Sequence, residues 1–213
     1  MASIVFDLDG TLIDSAPDLQ KIANELLQAD DHAPISLIET CSFIGNGASV
    51  FVEKMCAARG VPKSSEVHYI EAFLKAYQSA FGLTELYPGV LAALEKLKAQ
   101  GHKLGICTNK PIGPCRAVLE HLKLTNYFDT IIGGDSLPVK KPDPATLFAA
   151  FDALDGGVSI YVGDSEVDAE TALRAKAPFL LFTEGYRKTA VDQIPHTAAF
   201  SNFDQLEDLV ARY

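Results

Sequence analysis

Two aspartates, Asp7 and Asp9, directly follow the apolar run "SIVF" and stand just before Gly10. A carboxylate that ends a buried strand is costly to remove from water unless something pairs with it. In an open parallel α/β sheet, ligands bind at the carboxyl ends of the strands. The two aspartates are therefore either turn residues leading into Gly10 and Thr11 or part of a site, and other residues of the chain decide between these interpretations.

Polar side chains also follow the other predicted strands. The segments "KLGIC", "DTIIGG", "VSIYVG" and "PFLLF" have the composition and length of buried strands. Helical patterns separate them, which predicts βαβ units, right-handed crossovers and a parallel sheet. Strand ends of such a sheet share one edge, where we expect Asp7, Asp9, Thr108, Asn109, Asp135, Asp164 and Asp168, with Lys141 in the nearby loop "VKKPDP".

Each of these residues also has a purely structural explanation. Thr108 could cap the helix after Pro111, and Asp168 has the spacing of a capping box with Ser165. Several carboxylates at one edge, however, raise one another's pKa and destabilise the fold unless a cation lies among them. Oxygen ligands favour a hard ion, Mg²⁺ above all. A hydroxyl, an amide and a lysine beside such an ion predict a site for a phosphoryl group.

Composition limits the possible partners of the chain. The 213 residues include 18 Lys and Arg against 28 Asp and Glu, a formal charge of −10, which argues against nucleic acid or anionic membranes as partners. We expect no membrane span and no secretion leader. The four cysteines lack zinc-ligand spacing, so we expect reduced thiols and a cytoplasmic protein.

The segment after the first strand has a different pattern. Residues 16–82 contain several consecutive amphipathic helices with no strand between them, which predicts a helical insert in the sheet domain. Capping-box spacing occurs at Ser15 with Asp18 and at Ser36 with Glu39, and Gly60 is positioned to end a helix.

The motifs "DLDGT", "TNK", "KKPDP" and "GDSEVD", in this order, resemble those of the haloacid dehalogenase superfamily of phosphohydrolases. Within it, segments such as "FIGNGASVFVEK" and "YFDTIIGGDSLPVKKPDPATL" are similar to the bacterial phosphoglycolate phosphatases. The resemblance implies an α/β fold, with a Rossmann-like parallel-sheet core of residues 1–14 and 83–213 and a helical cap domain of residues 15–82. It also implies Mg²⁺ as cofactor and a small anionic phosphomonoester as substrate.

The resemblance further implies a role for each motif residue. Asp7 would attack phosphorus and form an aspartyl phosphate, and Asp9 would act as general acid and then as general base. Mg²⁺ would be held by Asp7, the backbone carbonyl of Asp9, and Asp164. Thr108 and Lys141 would bind the transferring oxygens, helped by N–H groups near Leu8 and Asn109, while Asp168 would orient Lys141 or a metal-bound water.

The cap should contact the part of the substrate beyond the phosphate. Gly45, Asn46 and Gly47 precede a predicted helix whose free N–H groups could meet an anion. Lys54 lies on about the same helical face and could add a charge, or it could simply be solvated beside Glu53.

Other functions remain open at this point. A β-phosphoglucomutase-like phosphotransferase, or a phosphatase of another small phosphorylated metabolite, would share the core and the cap. A receiver-like signalling domain also carries a phosphorylated aspartate on a parallel sheet, but such domains are shorter and lack a helical insert. The sequence is compatible with a monomer or a homodimer.

Overall fold

The computed structural model describes residues 1–155 and 157–213, which contain eight β-strands and nine α-helices. The strands are β1 (Ala2–Phe6), β2 (Ile13–Asp14), β3 (Glu85–Leu86), β4 (Lys103–Cys107), β5 (Thr130–Ile132), β6 (Val158–Gly163), β7 (Phe179–Phe182) and β8 (Ala198–Phe200). The helices are α1 (Ala16–Ala29), α2 (Leu37–Phe43), α3 (Ala48–Arg59), α4 (Glu66–Tyr77), α5 (Val90–Ala99), α6 (Ile112–His121), α7 (Ala145–Leu154), α8 (Glu166–Ala175) and α9 (Leu206–Val210).

Six strands form one sheet in the order β5-β4-β1-β6-β7-β8. Every neighbouring pair in it is parallel, which confirms the predicted α/β class and parallel sheet. Strand β1 lies in the middle, with Phe6 opposite Ile106 on β4 and Val162 on β6. The residues that follow β1 are therefore placed at the centre of the carboxyl edge. The sequence predicted five of these strands and missed the short edge strand β8.

Both faces of the sheet are covered, as a buried parallel sheet requires. Successive residues of a strand point to opposite faces, so Ile4 and Phe6 belong to one hydrophobic cluster and Val5 to another. The first cluster includes Leu94 of α5 and residues of α6 and α9, and the second includes Leu147 of α7 and residues of α8. These two layers of helices fix the sheet that carries the candidate site.

Helices α1 to α4 are consecutive and have a hydrophobic cluster of their own. Its centre is aromatic: the ring centroids of Phe51 and Phe73 are 5.2 Å apart, and those of Phe73 and Tyr77 are 5.5 Å apart. Tyr186, which follows β7, also belongs to this cluster. The predicted helical insert is thus present, and one side chain from the sheet portion of the chain packs into it.

The two connections between the insert and the sheet run side by side. Strands β2 and β3 pair in antiparallel fashion, with Ile13 opposite Leu86 and Asp14 opposite Glu85. The sequence did not predict this pair, because two residues are too few to show a strand pattern. It lies next to the predicted domain boundaries at residues 14 and 83, and the division into core and cap domains stays a prediction.

Two of the predicted capping boxes are confirmed. Ser36 and Glu39 begin α2, and Ser165 and Asp168 begin α8, each with both reciprocal hydrogen bonds present. Gly60 ends α3 in the left-handed conformation with φ of 67°, as predicted. These local signals needed no information about the tertiary fold.

The capping box predicted at Ser15 and Asp18 is wrong. Ser15 precedes α1 but makes no side-chain cap hydrogen bond; its hydroxyl donates to Asp9 instead. Asp18 accepts hydrogen bonds from Leu83 N at 2.9 Å and Thr84 Oγ1 at 2.7 Å. Both side chains are therefore used in long-range contacts that compete with the local cap.

No helix within residues 1–155 and 157–213 combines the length and apolarity needed to cross a membrane. The four cysteines are free thiols, and Cys56, Cys107 and Cys115 are buried.

Candidate active site

The carboxyl edge of the sheet brings the predicted polar residues together. Asp7 follows β1, Thr108 follows β4 and Asp164 follows β6, and all three are buried. Lys141, from the loop before α7, is buried beside them. Asp135 does not join this group, because its carboxylate accepts a hydrogen bond from Ile112 N at the start of α6.

Asp7 lies against Lys141. Its Oδ1 is 2.9 Å from Lys141 Nζ, yet no hydrogen bond of good geometry reaches this buried oxygen in the described part of the chain. Burial and the charge of Asp168 raise the pKa of Asp7 to about 7, although Lys141 and the Leu8 N–H act in the opposite direction. The carboxylate is therefore poorly compensated by the protein alone.

Asp164 is held by two donors from different parts of the chain. Thr11 Oγ1 donates to its Oδ1 at 2.9 Å, and Tyr186 N donates to its Oδ2 at 2.6 Å. Burial and the charges of Asp168 and Asp7 raise the pKa of Asp164 well above its usual range. A Cβ added to Gly185 would collide with this carboxylate, so the loop after β7 approaches it as only glycine can.

The acidic cluster fits a hard cation. Asp7, Asp164 and Asp168 each offer a carboxylate oxygen, and these atoms lie within 4.8 Å of one another. Each oxygen of Asp168 already accepts at least two hydrogen bonds, Oδ1 from Lys141 and Tyr161 and Oδ2 from the N–H and the hydroxyl of Ser165. Each oxygen of Asp164 accepts one, which leaves Asp7 and Asp164 as the better ligands. A divalent ion bound to oxygen ligands would compensate the two carboxylates whose pKa is raised.

Lys141 and Asp168 form a buried ion pair at 2.7 Å that Tyr161 completes. The Tyr161 hydroxyl accepts from Lys141 Nζ at 2.9 Å and lies 2.7 Å from Asp168 Oδ1. Burial opposes it, but Lys141, Ser165 and Tyr161 hold the pKa of Asp168 below its usual range. Asp168 thus both caps α8 and fixes Lys141. No role for Tyr161 was predicted from the sequence, although a hydroxyl in the apolar strand "VSIYVG" requires a buried partner.

Asp9 has a different lysine as its partner. Lys110 Nζ lies 3.0 Å from Asp9 Oδ1 and 2.6 Å from the hydroxyl of Tyr77 on α4. Ser15 Oγ donates to the same Asp9 oxygen. No role for Lys110 was predicted from the sequence, although this residue directly follows the predicted site residues Thr108 and Asn109.

Asp9, Lys110 and Tyr77 line a cavity of about 40 Å³ between the sheet edge and the helical insert. The predicted residues Asp7, Asp9, Thr108 and Asn109 lie in its wall. The complete wall comprises Asp7, Asp9, Leu19, Ile44, Gly45, Gly47, Ala48, Phe51, Phe73, Tyr77, Thr108, Asn109 and Lys110. Apart from Lys110, which follows β4, the remainder of that wall is mainly apolar and comes from the insert.

The segment Gly45–Asn46–Gly47 meets the sheet edge through Asn109. Asn109 Nδ2 donates to the main-chain oxygen of Gly45 at 3.0 Å, and a Cβ added to Gly47 would lie 3.3 Å from the Asn109 oxygen. Gly47 has φ of 89° and is the N-cap of α3. Among the described residues, Asn46 and Lys54 are not part of the cavity wall.

Lys54 instead lies near Lys188. Burial and the charge of Lys54 lower the pKa of Lys188. Lys188 Nζ donates to the main-chain oxygen of Ile44 at 3.2 Å and lines a second cleft that reaches Asp7, Asp9 and Asp164. No role for Lys188 was predicted from the sequence.

Comparison with known proteins identifies the family to which this chain is similar. The model of the haloacid dehalogenase-like hydrolase family matches residues 4–182. A phosphoglycolate phosphatase of Cereibacter sphaeroides is 47% identical over 100% of this chain and 99% of its own, and one of Rhodobacter capsulatus is 43% identical over 98% and 96%. A crystal structure described as a predicted phosphoglycolate phosphatase from Haemophilus somnus superposes with a TM-score of 0.90 at 30% identity, over 97% of this chain and 96% of that one.

Proposed function

The chain belongs to the haloacid dehalogenase-like hydrolase family and is a phosphoric monoester hydrolase, and we propose that it hydrolyses 2-phosphoglycolate to glycolate and phosphate with Mg²⁺ as its cofactor. The full-length similarity to proteins named phosphoglycolate phosphatase supports this substrate.

One observation carries the proposed chemistry. Asp7 and Asp9 line the same cavity, but each has its own lysine: Lys141 lies 2.9 Å from Asp7, and Lys110 lies 3.0 Å from Asp9. Two neighbouring carboxylates in separate environments can perform separate tasks. This supports attack on phosphorus by Asp7 and proton transfer by Asp9.

In the first half-reaction, a carboxylate oxygen of Asp7 attacks phosphorus and the bond from phosphorus to the ester oxygen breaks. Asp9 gives its proton to that oxygen, so that neutral hydroxyl rather than alkoxide leaves. Thr108 and Lys141 bind the oxygens of the transferring group, together with N–H groups of Leu8 and Asn109. The products of this step are glycolate and phosphorylated Asp7.

In the second half-reaction, Asp9 takes a proton from water, and the water oxygen attacks the phosphorus on Asp7. The bond between phosphorus and Asp7 breaks, phosphate is formed and both aspartates return to their starting state. Asp168 keeps Lys141 in place throughout, through the 2.7 Å ion pair that also caps α8.

Asp7 and Asp164 would hold Mg²⁺, together with the main-chain carbonyl of Asp9. The ion would neutralise charge on the carboxylates and on the phosphoryl oxygens. The raised pKa values of Asp7 and Asp164 support this ligand set, since a nearby positive charge stabilises the ionised form of both carboxylates.

The proposal is tested by phosphate release from a panel of 2-phosphoglycolate, hexose phosphates and other small phosphomonoesters, with Mg²⁺ and with EDTA. We expect turnover with Mg²⁺ alone, highest kcat/KM for 2-phosphoglycolate, and no turnover in Asp7→Asn. Acid-quenched wild-type enzyme should carry one phosphoryl group on the peptide that contains Asp7. A higher kcat/KM for a hexose phosphate would assign another substrate, and stable phosphorylation without phosphate release would favour a signalling domain. The cytoplasmic location and the choice between monomer and homodimer stay predictions.

A further inference from the structure

The mainly apolar wall of the cavity contains a buried positive charge. Among the described residues of its wall, Lys110 is the one cation, and its side chain is only 2% exposed. Beside it the wall is apolar, with Phe51 and Phe73 from the insert. A lysine is rarely buried among aromatic rings unless its charge is used, because removing an ammonium group from water is costly.

Lys110 has hydrogen-bonding capacity to spare. An ammonium group donates three hydrogen bonds, and within the described part of the chain two acceptors are present, Asp9 Oδ1 and the Tyr77 hydroxyl. The Tyr77 ring also lies under the ammonium group, with its centroid 4.3 Å from Nζ. Tyr77 accepts from Lys110, and its own O–H proton has no acceptor among the hydrogen bonds of the described residues. One N–H and one O–H are thus left on the cavity wall.

The position of these two donors suits a phosphate ester that carries a carboxylate one carbon away from its ester oxygen. The proposed acid Asp9 must contact the ester oxygen of the substrate, and Lys110 is bonded to Asp9. In 2-phosphoglycolate a single CH₂ group separates the ester oxygen from the carboxylate. Lys110 Nζ lies 3.0 Å from Asp9 Oδ1, and the Tyr77 hydroxyl lies 2.6 Å from Lys110 Nζ, so both donors are within reach of a carboxylate one carbon away from an ester oxygen at Asp9.

We infer that Lys110 and Tyr77 bind the substrate's carboxylate and make the enzyme selective for phosphate esters with a carboxylate on the adjacent carbon; this inference rests on the proposed function. Lys110 comes from the sheet domain and Tyr77 from the insert, so the carboxylate is bound from both sides of the cavity. The apolar wall excludes water, which strengthens both contacts.

The alternative is Lys54, for which the sequence predicts either contact with the anionic part of the substrate or simple solvation beside Glu53. Lys54 lies on α3 outside the cavity wall and near Lys188. Lys110 is the better-placed cation, because it faces the same cavity as Asp7 and Asp9.

The test compares 2-phosphoglycolate with ethyl phosphate, in which a methyl group replaces the carboxylate. We define the selectivity as the ratio of the two kcat/KM values. Lys110→Met keeps the length of the side chain and removes its charge, and it should lower the selectivity about tenfold to a hundredfold, as expected for a lost charge-assisted hydrogen bond. Tyr77→Phe leaves the Asp9–Lys110 pair intact and should lower it about tenfold. Lys54→Met tests the alternative, and Lys63→Met, whose side chain is 91% exposed on the insert, is the matched control.

The outcomes separate the inference from the proposed function. If Lys110→Met lowers kcat/KM equally for both esters, Lys110 acts only through Asp9 and the inference is overturned. The inference is also overturned if Tyr77→Phe and Lys110→Met leave the selectivity unchanged, or if Lys54→Met loses the selectivity instead. If Lys110→Met does not fold, as judged by circular dichroism, the Tyr77→Phe result decides. A wild type that does not prefer 2-phosphoglycolate over ethyl phosphate refutes the proposed function itself, and the inference with it.

Discussion

Replacing Asp7 by asparagine should stabilise the metal-free protein while abolishing turnover. Burial and the charge of Asp168 raise the pKa of Asp7 from 3.8 to about 7. At about 1.4 kcal/mol for each tenfold change in acidity, the ionised carboxylate costs the native state about 4 kcal/mol. Asparagine resembles the neutral acid but adds an N–H₂ group that needs acceptors, so we expect a gain of about 2–4 kcal/mol. For a chain of this length, Tm should rise by about 4–16 °C.

The sign of the pH dependence follows from the same pKa. Because the pKa is higher in the native state than in the unfolded chain, the native protein retains a proton that the unfolded chain has released between pH values of about 4 and 7. Wild-type stability therefore falls as the pH rises through this range, and the loss is complete above it. The Tm difference between Asp7→Asn and wild type should be smallest near pH 4 and largest above pH 7.

The assay is thermal unfolding monitored by circular dichroism. It is carried out in EDTA at several pH values from 5 to 8 and is then repeated with Mg²⁺. Mg²⁺ should raise the free energy of unfolding of the wild type more than that of the variant. The difference should be about 2.7 kcal/mol at a hundredfold excess of Mg²⁺ over Kd if the variant no longer binds the ion. Asp135→Asn is the matched control: its carboxylate contacts Ile112 N outside the cluster, and its Tm should change little at any pH. A lower Tm for Asp7→Asn in EDTA at pH 8, or a gain that does not vary with pH, would refute the reasoning.

Three further predictions concern the surroundings of the site. Lys141→Met should abolish turnover and destabilise the protein by about 3–5 kcal/mol, because it leaves Asp168 buried without its cation. Urea unfolding measures the loss of stability, and a loss under about 1 kcal/mol would contradict the prediction. Tyr161→Phe should lower kcat about tenfold with little change in KM for 2-phosphoglycolate, since the hydroxyl positions Lys141 and does not line the cavity; a rise in KM alone in steady-state assays would argue against this role. Gly185→Ala should weaken the rise in Tm caused by Mg²⁺, because the added Cβ displaces Asp164, and a wild-type response would show that the loop can yield.

The sequence predicted the parts of the molecule whose signals are local. The strands of the parallel sheet appear as short apolar runs, and the polar residues that end them converge because parallel strands end at one edge. The order of the residues along the chain was therefore enough to place Asp7, Asp164 and Lys141 together. The capping boxes at Ser36 and Ser165 depend only on residues three positions apart, and both are present.

The residues that the sequence did not reveal are those whose partners are far away along the chain. Tyr186 contacts Ser15 across 171 residues, and Lys110 contacts Tyr77 across 33. The failed capping box at Ser15 has the same origin, because the pattern was correct but Asp9 and Tyr186 outcompete it. A buried tyrosine hydroxyl needs a hydrogen-bond partner, but the local sequence does not indicate which residue that partner is.

Tyr186 has a mechanical consequence for the two parts of the molecule. Its hydroxyl accepts from Ser15 N at 2.8 Å and Ala16 N at 3.0 Å and donates to Asp14 at 2.6 Å, while its ring packs in the cluster of the insert. Its own main-chain N–H holds Asp164. If the helices α1 to α4 swing relative to the sheet, this residue is a pivot, since it is bonded to the first turn of α1 and to the sheet edge at once.

Displacement about a pivot grows with distance from it. The hydrogen bond of Lys110 with Tyr77 also joins the sheet portion of the chain to the insert but does not involve Tyr186, so a swing about the pivot would break it. Asp164, bonded to the pivot itself, stays where it is. Opening and closing would therefore expose the end of the cavity that carries Lys110 and Tyr77, while the carboxylates that we propose as metal ligands keep their arrangement from one turnover to the next.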